Sequence, residues 1–251
     1  MSAVISIQNL YKSFGEKKVL KGASLQVNNG EIMYVIGKSG SGKSVLLKHI
    51  TGLMRPDSGK VYIEDEEIFS LSEKDLMRVR MKMGVLFQMA ALFDSMTVFE
   101  NVAFTLRRFT NKKEEEIKSI VSEKLSLVGL KSVEDFSPST LSGGMQKRVG
   151  LARAIALQPK IVLYDEPTTG VDPILASAVD DLIMTLNKEL NVTTLVISHD
   201  MKSTFHTADR VAMLYEGDFI LTGEPEAFKE SKDPVVYQFV QGMAKGPISI
   251  L

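Results

Sequence analysis

The chain carries, at residues 37–44, the stretch Gly-Lys-Ser-Gly-Ser-Gly-Lys-Ser, which fits the pattern G-x-x-x-x-G-K-S. The apolar run at residues 32–36 predicts a buried strand before it, and the apolar spacing at residues 45–50 predicts a helix after it. Backbone N–H groups of such a glycine-rich loop can surround phosphate groups, because no side chain intrudes. The stretch therefore predicts a phosphate-binding loop at a strand-to-helix junction.

Each residue of this loop is a candidate nucleotide ligand. The second lysine is expected to reach the outer phosphates, and the final serine hydroxyl is expected to ligate Mg²⁺. The predicted binding residues are Gly37, Lys38, Ser39, Gly40, Ser41, Gly42, Lys43 and Ser44. The alternative is a mobile glycine-serine turn, but the flanking strand and helix patterns favour nucleotide binding.

Composition excludes several classes of protein. The 251 residues include 30 Lys+Arg and 31 Asp+Glu, a formal net charge of −1, which argues against a general nucleic-acid binder. No apolar run approaches the ~20 residues needed to cross a bilayer. The absence of cysteine excludes a disulfide, a thiolate nucleophile and a cysteine metal site. His49, His199 and His206 are the only imidazole candidates. We interpret the acidic run at residues 64–67 as a solvated turn.

Alternating strand and helix patterns indicate the fold class. Strand-like runs at residues 161–164 and 194–197 flank a helical pattern at 173–190, the alternation expected of a parallel α/β sheet. Residues 96–157 are mostly helical in pattern, and residues 210–222 predict a hairpin. We therefore expect an α/β fold with a helical subdomain.

Two carboxylates follow the strand predicted at residues 161–164. In a phosphate-binding-loop fold, Asp165 at this position can hold Mg²⁺ directly or through water. Glu166 would then lie beside the terminal phosphate, where a carboxylate can orient and deprotonate an attacking water. In isolation the pair would be a solvated strand end, but the loop at residues 37–44 favours a hydrolytic site.

A resemblance to a known family rests first on residues 141–149, Leu-Ser-Gly-Gly-Met-Gln-Lys-Arg-Val. This stretch resembles the signature motif of ATP-binding-cassette (ABC) ATPases and lies before Asp165, as it does in that family. The resemblance implies ATP and Mg²⁺ as cofactors and a RecA-like core with an antiparallel β subdomain and an inserted helical subdomain. The implied boundaries are an ABC ATPase domain at 1–224, a helical subdomain at about 89–157, and a C-terminal helix and tail at 225–251.

The same resemblance implies roles for single residues. It implies that Tyr11 stacks on adenine, Gln88 ligates Mg²⁺ and senses the attacking water, and His199 contacts the terminal phosphate. Thr169-Gly170-Val171-Asp172 resembles the family's D-loop, with Asp172 in the family's position. For Tyr11 the alternative is a packing residue of an N-terminal hairpin.

A second anion site is predicted at the start of a helix. Ser142, Gly143 and Gly144 would present N–H groups and the positive end of that helix. In the family such a motif faces the ATP of a second chain. The resemblance therefore implies a head-to-tail homodimer, with each ATP between Lys43 of one chain and Ser142 of the other.

Residues 91–102, Ala-Leu-Phe-Asp-Ser-Met-Thr-Val-Phe-Glu-Asn-Val, resemble a subfamily. They are similar to the Mla-type ATPases of diderm bacteria, which work with MCE-domain lipid carriers, and to plastid relatives. This implies a peripheral ATPase on the cytoplasmic face of the inner membrane that energises phospholipid transport. The implied partners are two permease subunits docking near Leu92 and Phe93, an MCE-domain carrier and a small STAS-domain protein.

Other functions were weighed against this interpretation. The first is the ATPase of an importer for a polar solute such as an amino acid, which only the permease would distinguish. DNA-repair ABC proteins carry a long coiled coil between the phosphate-binding loop and the signature motif. The spacing between Lys43 and Leu141 in this chain leaves no room for such a coiled coil. A P-loop kinase or GTPase would have no reason to carry the stretch at 141–149.

Overall fold

The computed structural model describes residues 3–249. The strands are β1 (Ala3–Phe14), β2 (Lys17–Asn28), β3 (Ile32–Ile36), β4 (Ser58–Ile63), β5 (Glu66–Glu67), β6 (Met83–Leu86), β7 (Ile161–Asp165), β8 (Thr193–Ser198), β9 (Arg210–Tyr215) and β10 (Asp218–Gly223). The helices are α1 (Lys43–Ile50), α2 (Glu73–Arg80), α3 (Val98–Phe109), α4 (Glu114–Leu127), α5 (Gly143–Ile155), α6 (Pro173–Leu190), α7 (Met201–Thr207), α8 (Pro225–Lys229) and α9 (Pro234–Gln241). None of the helices described is long and apolar enough to cross a membrane.

A six-stranded sheet in the order β10-β9-β3-β8-β7-β6 forms the centre of the molecule. All neighbours in it are parallel except β9 and β10, which form the predicted hairpin. Every residue of β3 and β8 is buried, as expected for parallel strands covered on both faces. The α/β fold class predicted from strand–helix alternation is therefore confirmed.

The side chains of β3 separate the two halves of the core. Ile32, Tyr34 and Ile36 pack in a cluster with the helices α3 to α6. Met33 and Val35 point the other way and pack with α1 and with the second sheet. This alternation follows from the two-residue period of a strand and places the phosphate-loop helix on one face only.

The second sheet is four-stranded and antiparallel, in the order β2-β1-β4-β5. Its first two strands each run for twelve residues. Register shifts interrupt the β1–β2 pairing at several points, including Leu10/Tyr11 and Lys12/Ser13. Each such irregularity changes which side chains face the core, so simple alternation fails along β1.

Three helices, α3, α4 and α5, pack on one another beside the six-stranded sheet. The first of them begins at a capping box, in which the Thr97 side chain accepts from Glu100 N and the Glu100 side chain accepts from Thr97 N. α6 begins at Pro173 and ends at Leu190, as its pattern predicted. The helical character predicted for residues 96–157 is confirmed.

The acidic run at residues 64–67 forms a turn at Glu64 and Asp65, as interpreted, and two of its carboxylates also form ion pairs. Glu64 pairs with Lys82 at 2.7 Å and with Lys160 at 2.5 Å. Glu66 pairs with Arg78 at 2.5 Å and with Lys82 at 3.2 Å. The network joins the turn after β4 to α2 and to the residues just before β6 and β7. Ion pairs in such a network can matter where single exposed pairs do not.

Substitution Glu66→Gln tests this network. Hydrogen bonds from Arg78 and then Lys82 lower the pKa of Glu66 from 4.5 to about 2. Because the folded-state pKa is depressed, the stabilisation is complete above the unfolded value of 4.5 and is lost as pH falls towards about 2. We expect a lower Tm for the variant at pH 7, and a Tm difference from wild type that shrinks on acidification through this window.

Thermal denaturation followed by circular dichroism measures both quantities. Glu230→Gln, at the C-cap of α8, removes one surface carboxylate outside the network and is the matched control. A Glu66→Gln difference equal to that of the control, or one that grows in acid, would contradict the role of the network.

Candidate nucleotide-binding site

The phosphate loop joins the end of β3 to the start of α1. Gly37 has φ 153°, and a Cβ there would lie 2.4 Å from the Leu214 carbonyl oxygen. Gly42 has φ 109° and is the N-cap of α1. Larger residues at either position would be strained, which is the physical reason for the glycines. The loop therefore presents its backbone at the N-terminus of a helix, where anions bind favourably.

Lys43 lies inside this loop and is only 6% exposed. Its ammonium donates to the carbonyls of Gly37 at 2.7 Å and Lys38 at 3.2 Å, and lies 3.6 Å from Glu166 Oε1. Burial lowers the pKa of Lys43, and the Glu166 carboxylate opposes that shift. The loop is thus wrapped around a buried cation that an incoming phosphate group can contact.

Glu166 follows directly after β7 and has φ 51°, in the left-handed region that non-glycine residues rarely adopt. Its Oε2 lies 2.7 Å from His199 Nδ1 and accepts a hydrogen bond from the Thr169 hydroxyl at 3.2 Å. Strained backbone of this kind persists only where the surroundings hold it. The carboxylate is therefore fixed from two sides while its other oxygen faces Lys43.

Asp165 is the last residue of β7, and its Oδ1 is buried without a hydrogen-bond partner. Burial, and then the neighbouring Glu166 carboxylate, raise the pKa of Asp165, while Lys43, Lys48 and a hydrogen bond with Ser44 lower it. An unpartnered carboxylate oxygen next to a serine hydroxyl suits a hard cation that prefers oxygen ligands. The residues present therefore fit Mg²⁺, with Ser44 and Asp165 as its holders.

A cavity of about 550 Å³ is bounded by Lys43, Ser44 and Glu166, but not by Asp165. It is lined by Phe14, Lys17, Val19, Ser39, Gly40, Gly42, Lys43, Ser44, Val45, Gln88, Glu166, Thr169 and His199. The structure thus brings Gln88 and His199, both predicted from the resemblance, together with the phosphate loop. They converge because β6, β7 and β8 are parallel and end at the same edge of the sheet.

Tyr11, predicted to stack on adenine, is not among the residues that line this cavity. Its hydroxyl lies against Gly22 instead, 2.9 Å from the position that a Cβ on Gly22 would occupy. Phe14 lines the cavity in its place and is 47% exposed. The register of β1 shifts between Leu10 and Tyr11 and between Lys12 and Ser13, so simple alternation in the sequence does not tell which of these aromatics faces the cavity.

Eight other predicted residues do not line the cavity of their own chain. Gly37, Lys38 and Ser41 belong to the phosphate loop, and Asp165 lies beside it. The other four belong to the signature stretch and the D-loop. The Ser142 hydroxyl caps α5 by accepting from Met145 N, and a Cβ on Gly143 would meet only open space. A Cβ on Gly144 would lie 3.5 Å from Leu175 near the start of α6. Asp172 caps α6 by accepting from the amides of Ile174 and Leu175. The signature stretch and the D-loop residue are therefore neighbours on a surface away from the phosphate loop.

Sequence reasoning missed part of the lining of the cavity. Phe14, Lys17 and Val19 contribute to the cavity from the β1–β2 hairpin. The available signal was the turn at Gly15, which has φ 59° and places its neighbours at the hairpin tip. Thr169 was assigned to the D-loop only, yet it also hydrogen-bonds Glu166.

Comparisons with known proteins agree with this geometry. The family model "ABC transporter" matches residues 20–169, more than half of the chain. The probable ribonucleotide transport ATP-binding protein mkl of Mycobacterium leprae is 42% identical over 100% of this chain and 72% of its own length. The chloroplastic protein TRIGALACTOSYLDIACYLGLYCEROL 3 of Arabidopsis thaliana is 42% identical over 98% of this chain and 75% of its own. The intermembrane phospholipid transport system ATP-binding protein MlaF of Haemophilus influenzae is 40% identical over 98% of this chain and 93% of its own length.

Solved structures show the same architecture. CbiO1 of Clostridium perfringens, part of the ABC transporter complex cbiONQ, superposes with a TM-score of 0.84 at 30% identity, covering 92% of both chains. The dimeric ABC transporter cassette MJ0796 superposes with a TM-score of 0.82 at 32% identity, covering 88% of this chain and 98% of that one. The chain belongs to the ABC transporter family, as an ATP-binding and ATP-hydrolysing protein of the Mla type.

Proposed function

We propose that this chain is the ATPase subunit that energises phospholipid transport between membranes. The observation that supports it is the 40% identity with MlaF of Haemophilus influenzae over 98% of this chain. MlaF is named as part of an intermembrane phospholipid transport system. A second candidate, transport of a polar solute such as a ribonucleotide, is favoured by the similarity to mkl of Mycobacterium leprae, which is named as a probable ribonucleotide transport ATP-binding protein.

In the hydrolytic cycle we propose, the residues divide the work between phosphate binding, metal binding and water activation. Lys43 and the loop amides bind the outer phosphates. Ser44, Asp165 and Gln88 would hold Mg²⁺, which would neutralise phosphate charge. Glu166 orients the attacking water and takes its proton. His199, which hydrogen-bonds Glu166 at 2.7 Å, contacts the terminal phosphate and holds the carboxylate in place.

The active unit we propose is a head-to-tail homodimer. Ser142, Gly143 and Gly144 lie outside the cavity of their own chain, so they are available to a nucleotide on another copy. Ile174, beside the D-loop residue Asp172, is 82% exposed, an apolar side chain that a second copy would cover. The related cassette MJ0796 is described as dimeric, which supports the same arrangement here.

A groove of about 430 Å³ is the permease-docking surface we propose. It is lined by Met83, Gly84, Val85, Phe87, Ala91, Phe93, Phe104, Thr105, Arg153, Ala154 and Leu157. Phe93 is 41% exposed, packs on Phe104 with ring centroids 4.9 Å apart, and lies beneath the Arg153 guanidinium. Leu92 instead packs against the core, so of the two residues named from sequence we keep Phe93 as the direct contact.

The groove and the nucleotide cavity share one short segment. Phe87 and Ala91 line the groove while Gln88, between them, lines the nucleotide cavity. Ala90 and Ala91 both have positive φ, and their carbonyls accept from the Arg153 guanidinium at 2.7 Å each. A partner helix in the groove would therefore act on Gln88 through a strained segment, which is a route for coupling transport to hydrolysis.

The remaining partners follow from the Mla-type proposal. Two ATPase copies would lie beneath two permease subunits, peripheral to the cytoplasmic face of the inner membrane. An MCE-domain carrier would stand on the far side, and a STAS-domain protein would bind the ATPase.

Affinity purification of the full chain from its native membranes in mild detergent tests this proposal, with mass spectrometry of the bound proteins and lipids. We expect a permease, an MCE-domain protein and phospholipid. Phe93→Asp should lose the permease, whereas Phe109→Asp, which changes an equally exposed phenylalanine outside the groove, should keep it. A permease recovered with a solute-binding protein and without an MCE-domain protein would contradict the lipid proposal.

The adenine contact gives a separate prediction. Stacking of a base on an aromatic ring contributes about 1–3 kcal/mol on alanine substitution, so Phe14→Ala should weaken ATP binding by about tenfold or more. Tyr11→Ala should leave the Kd for ATP within about twofold of wild type, because Tyr11 lies outside the cavity. Equilibrium binding of a fluorescent ATP analogue measures both values. The reverse ranking would restore the original assignment of Tyr11.

A further inference from the structure

α5 carries a buried lysine that the proposed cycle does not use. Lys147 is 9% exposed, and its ammonium donates to the carbonyl of Pro167 at 2.7 Å and to that of Thr169 at 2.6 Å. Both acceptors belong to the loop that begins at Glu166. The contact therefore joins the signature helix to the loop of the general base we propose.

A buried ammonium is costly unless it is hydrogen-bonded, and charge-assisted bonds are the strong ones. Burial lowers the pKa of Lys147, and the nearby Glu166 carboxylate opposes that shift. Lys147 is thus a desolvated cation whose hydrogen bonds are made to two backbone carbonyls of one short loop. An apolar residue of similar length would pack in the same space without this cost.

The loop that Lys147 contacts contains a residue with a strained backbone, Glu166. Glu166 adopts φ 51°, and its Oε2 accepts from the Thr169 hydroxyl at 3.2 Å. The two carbonyls bound by Lys147 flank Thr168, so the ammonium spans the turn between Glu166 and Thr169. Movement of this turn would change both the backbone of Glu166 and the hydroxyl that orients its carboxylate.

We propose that Lys147 is a positioning residue for Glu166: it fixes the loop at residues 166–169 to α5 and so keeps the carboxylate aligned on the attacking water. The inference rests on the proposed role of Glu166 as general base. Lys147 lies five residues after Ser142 on one continuous helix, a rise of about 7.5 Å. The helix that meets the partner's nucleotide is thereby tied to the base of its own chain's site.

Steady-state hydrolysis by the full chain, with ATP and Mg²⁺, tests the proposal. Lys147→Met keeps the length of the side chain and removes its charge. We expect kcat to fall by at least about tenfold, since small misplacements of a reacting group can cost up to about a hundredfold. The KM for ATP should change less than about twofold, because the phosphate loop is untouched. Lys147→Arg should recover most of the activity, since a guanidinium can also donate to both carbonyls.

Lys124→Met on α4 is the matched control, because it also removes a buried lysine charge. Lys124 is 2% exposed, and its ammonium pairs with Glu123 at 2.7 Å rather than with the loop at residues 166–169. Its loss should leave kcat within about twofold of wild type. A similar drop in kcat for Lys124→Met and Lys147→Met, with no recovery in Lys147→Arg, would indicate a general effect of removing a buried lysine and overturn the proposal.

Two further measurements separate this proposal from the role of Glu166. In a Glu166→Gln background, Lys147→Met should cause no further loss of turnover, because it acts through the missing carboxylate. Hydrogen exchange at the amides of residues 168–171 should accelerate by about tenfold or more in Lys147→Met. The reason is that the loop loses two hydrogen bonds from a charged donor and opens more often. Unchanged exchange would overturn the tether whatever Glu166 does. Full activity of Glu166→Gln alone would instead overturn only the assignment of the base.

Discussion

The parallel pairing of β8 with both β3 and β7 is the constraint on which the site depends. Because these strands end at one edge of the sheet, the phosphate loop, Glu166 and His199 are brought together from positions far apart in the sequence. The site contains a buried cation, Lys43, facing a carboxylate whose backbone is strained. Neither group would stay in place without the rigid sheet beneath it, and the strain at Glu166 is held by hydrogen bonds from its surroundings.

Two surfaces reach this site through short, strained segments. The groove around Phe93 connects to Gln88 through Ala90 and Ala91, whose carbonyls Arg153 holds. The signature end of α5 connects to Glu166 through the loop that Lys147 holds. Both cations lie on α5, so a single helix contacts the segments that lead to the proposed permease groove and to the proposed catalytic base. That arrangement gives partner binding a physical route to the hydrolytic groups.

The sequence predicted the groups that directly follow buried strands. Asp165 and Glu166 could be placed because an apolar strand pattern ends just before them, and the chemistry of the phosphate loop limits what they can do. The role of His199 was implied only by the resemblance to ABC ATPases. Tyr11 could not be placed, because bulges in β1 change which side chains face the loop, and no alternation pattern records a bulge. Leu92 and Phe93 were not separated either, since the positive φ angles at Ala90 and Ala91 reorient the segment that precedes them. In the sequence, Lys147 is only one residue of the signature stretch. Its hydrogen bonds to the carbonyls of Pro167 and Thr169 are visible only in the structure.

The assignment of Glu166 as the general base is the central claim, and Glu166→Gln measures it most directly. The isolated variant should bind ATP and form an ATP-stabilised dimer visible by light scattering. In the assembled transporter it should hydrolyse ATP at least about a hundredfold more slowly than wild type. The amide keeps the shape of the side chain and can still accept from the Thr169 hydroxyl, so a loss of turnover reports on the carboxylate itself. Turnover close to that of the wild type would contradict the account.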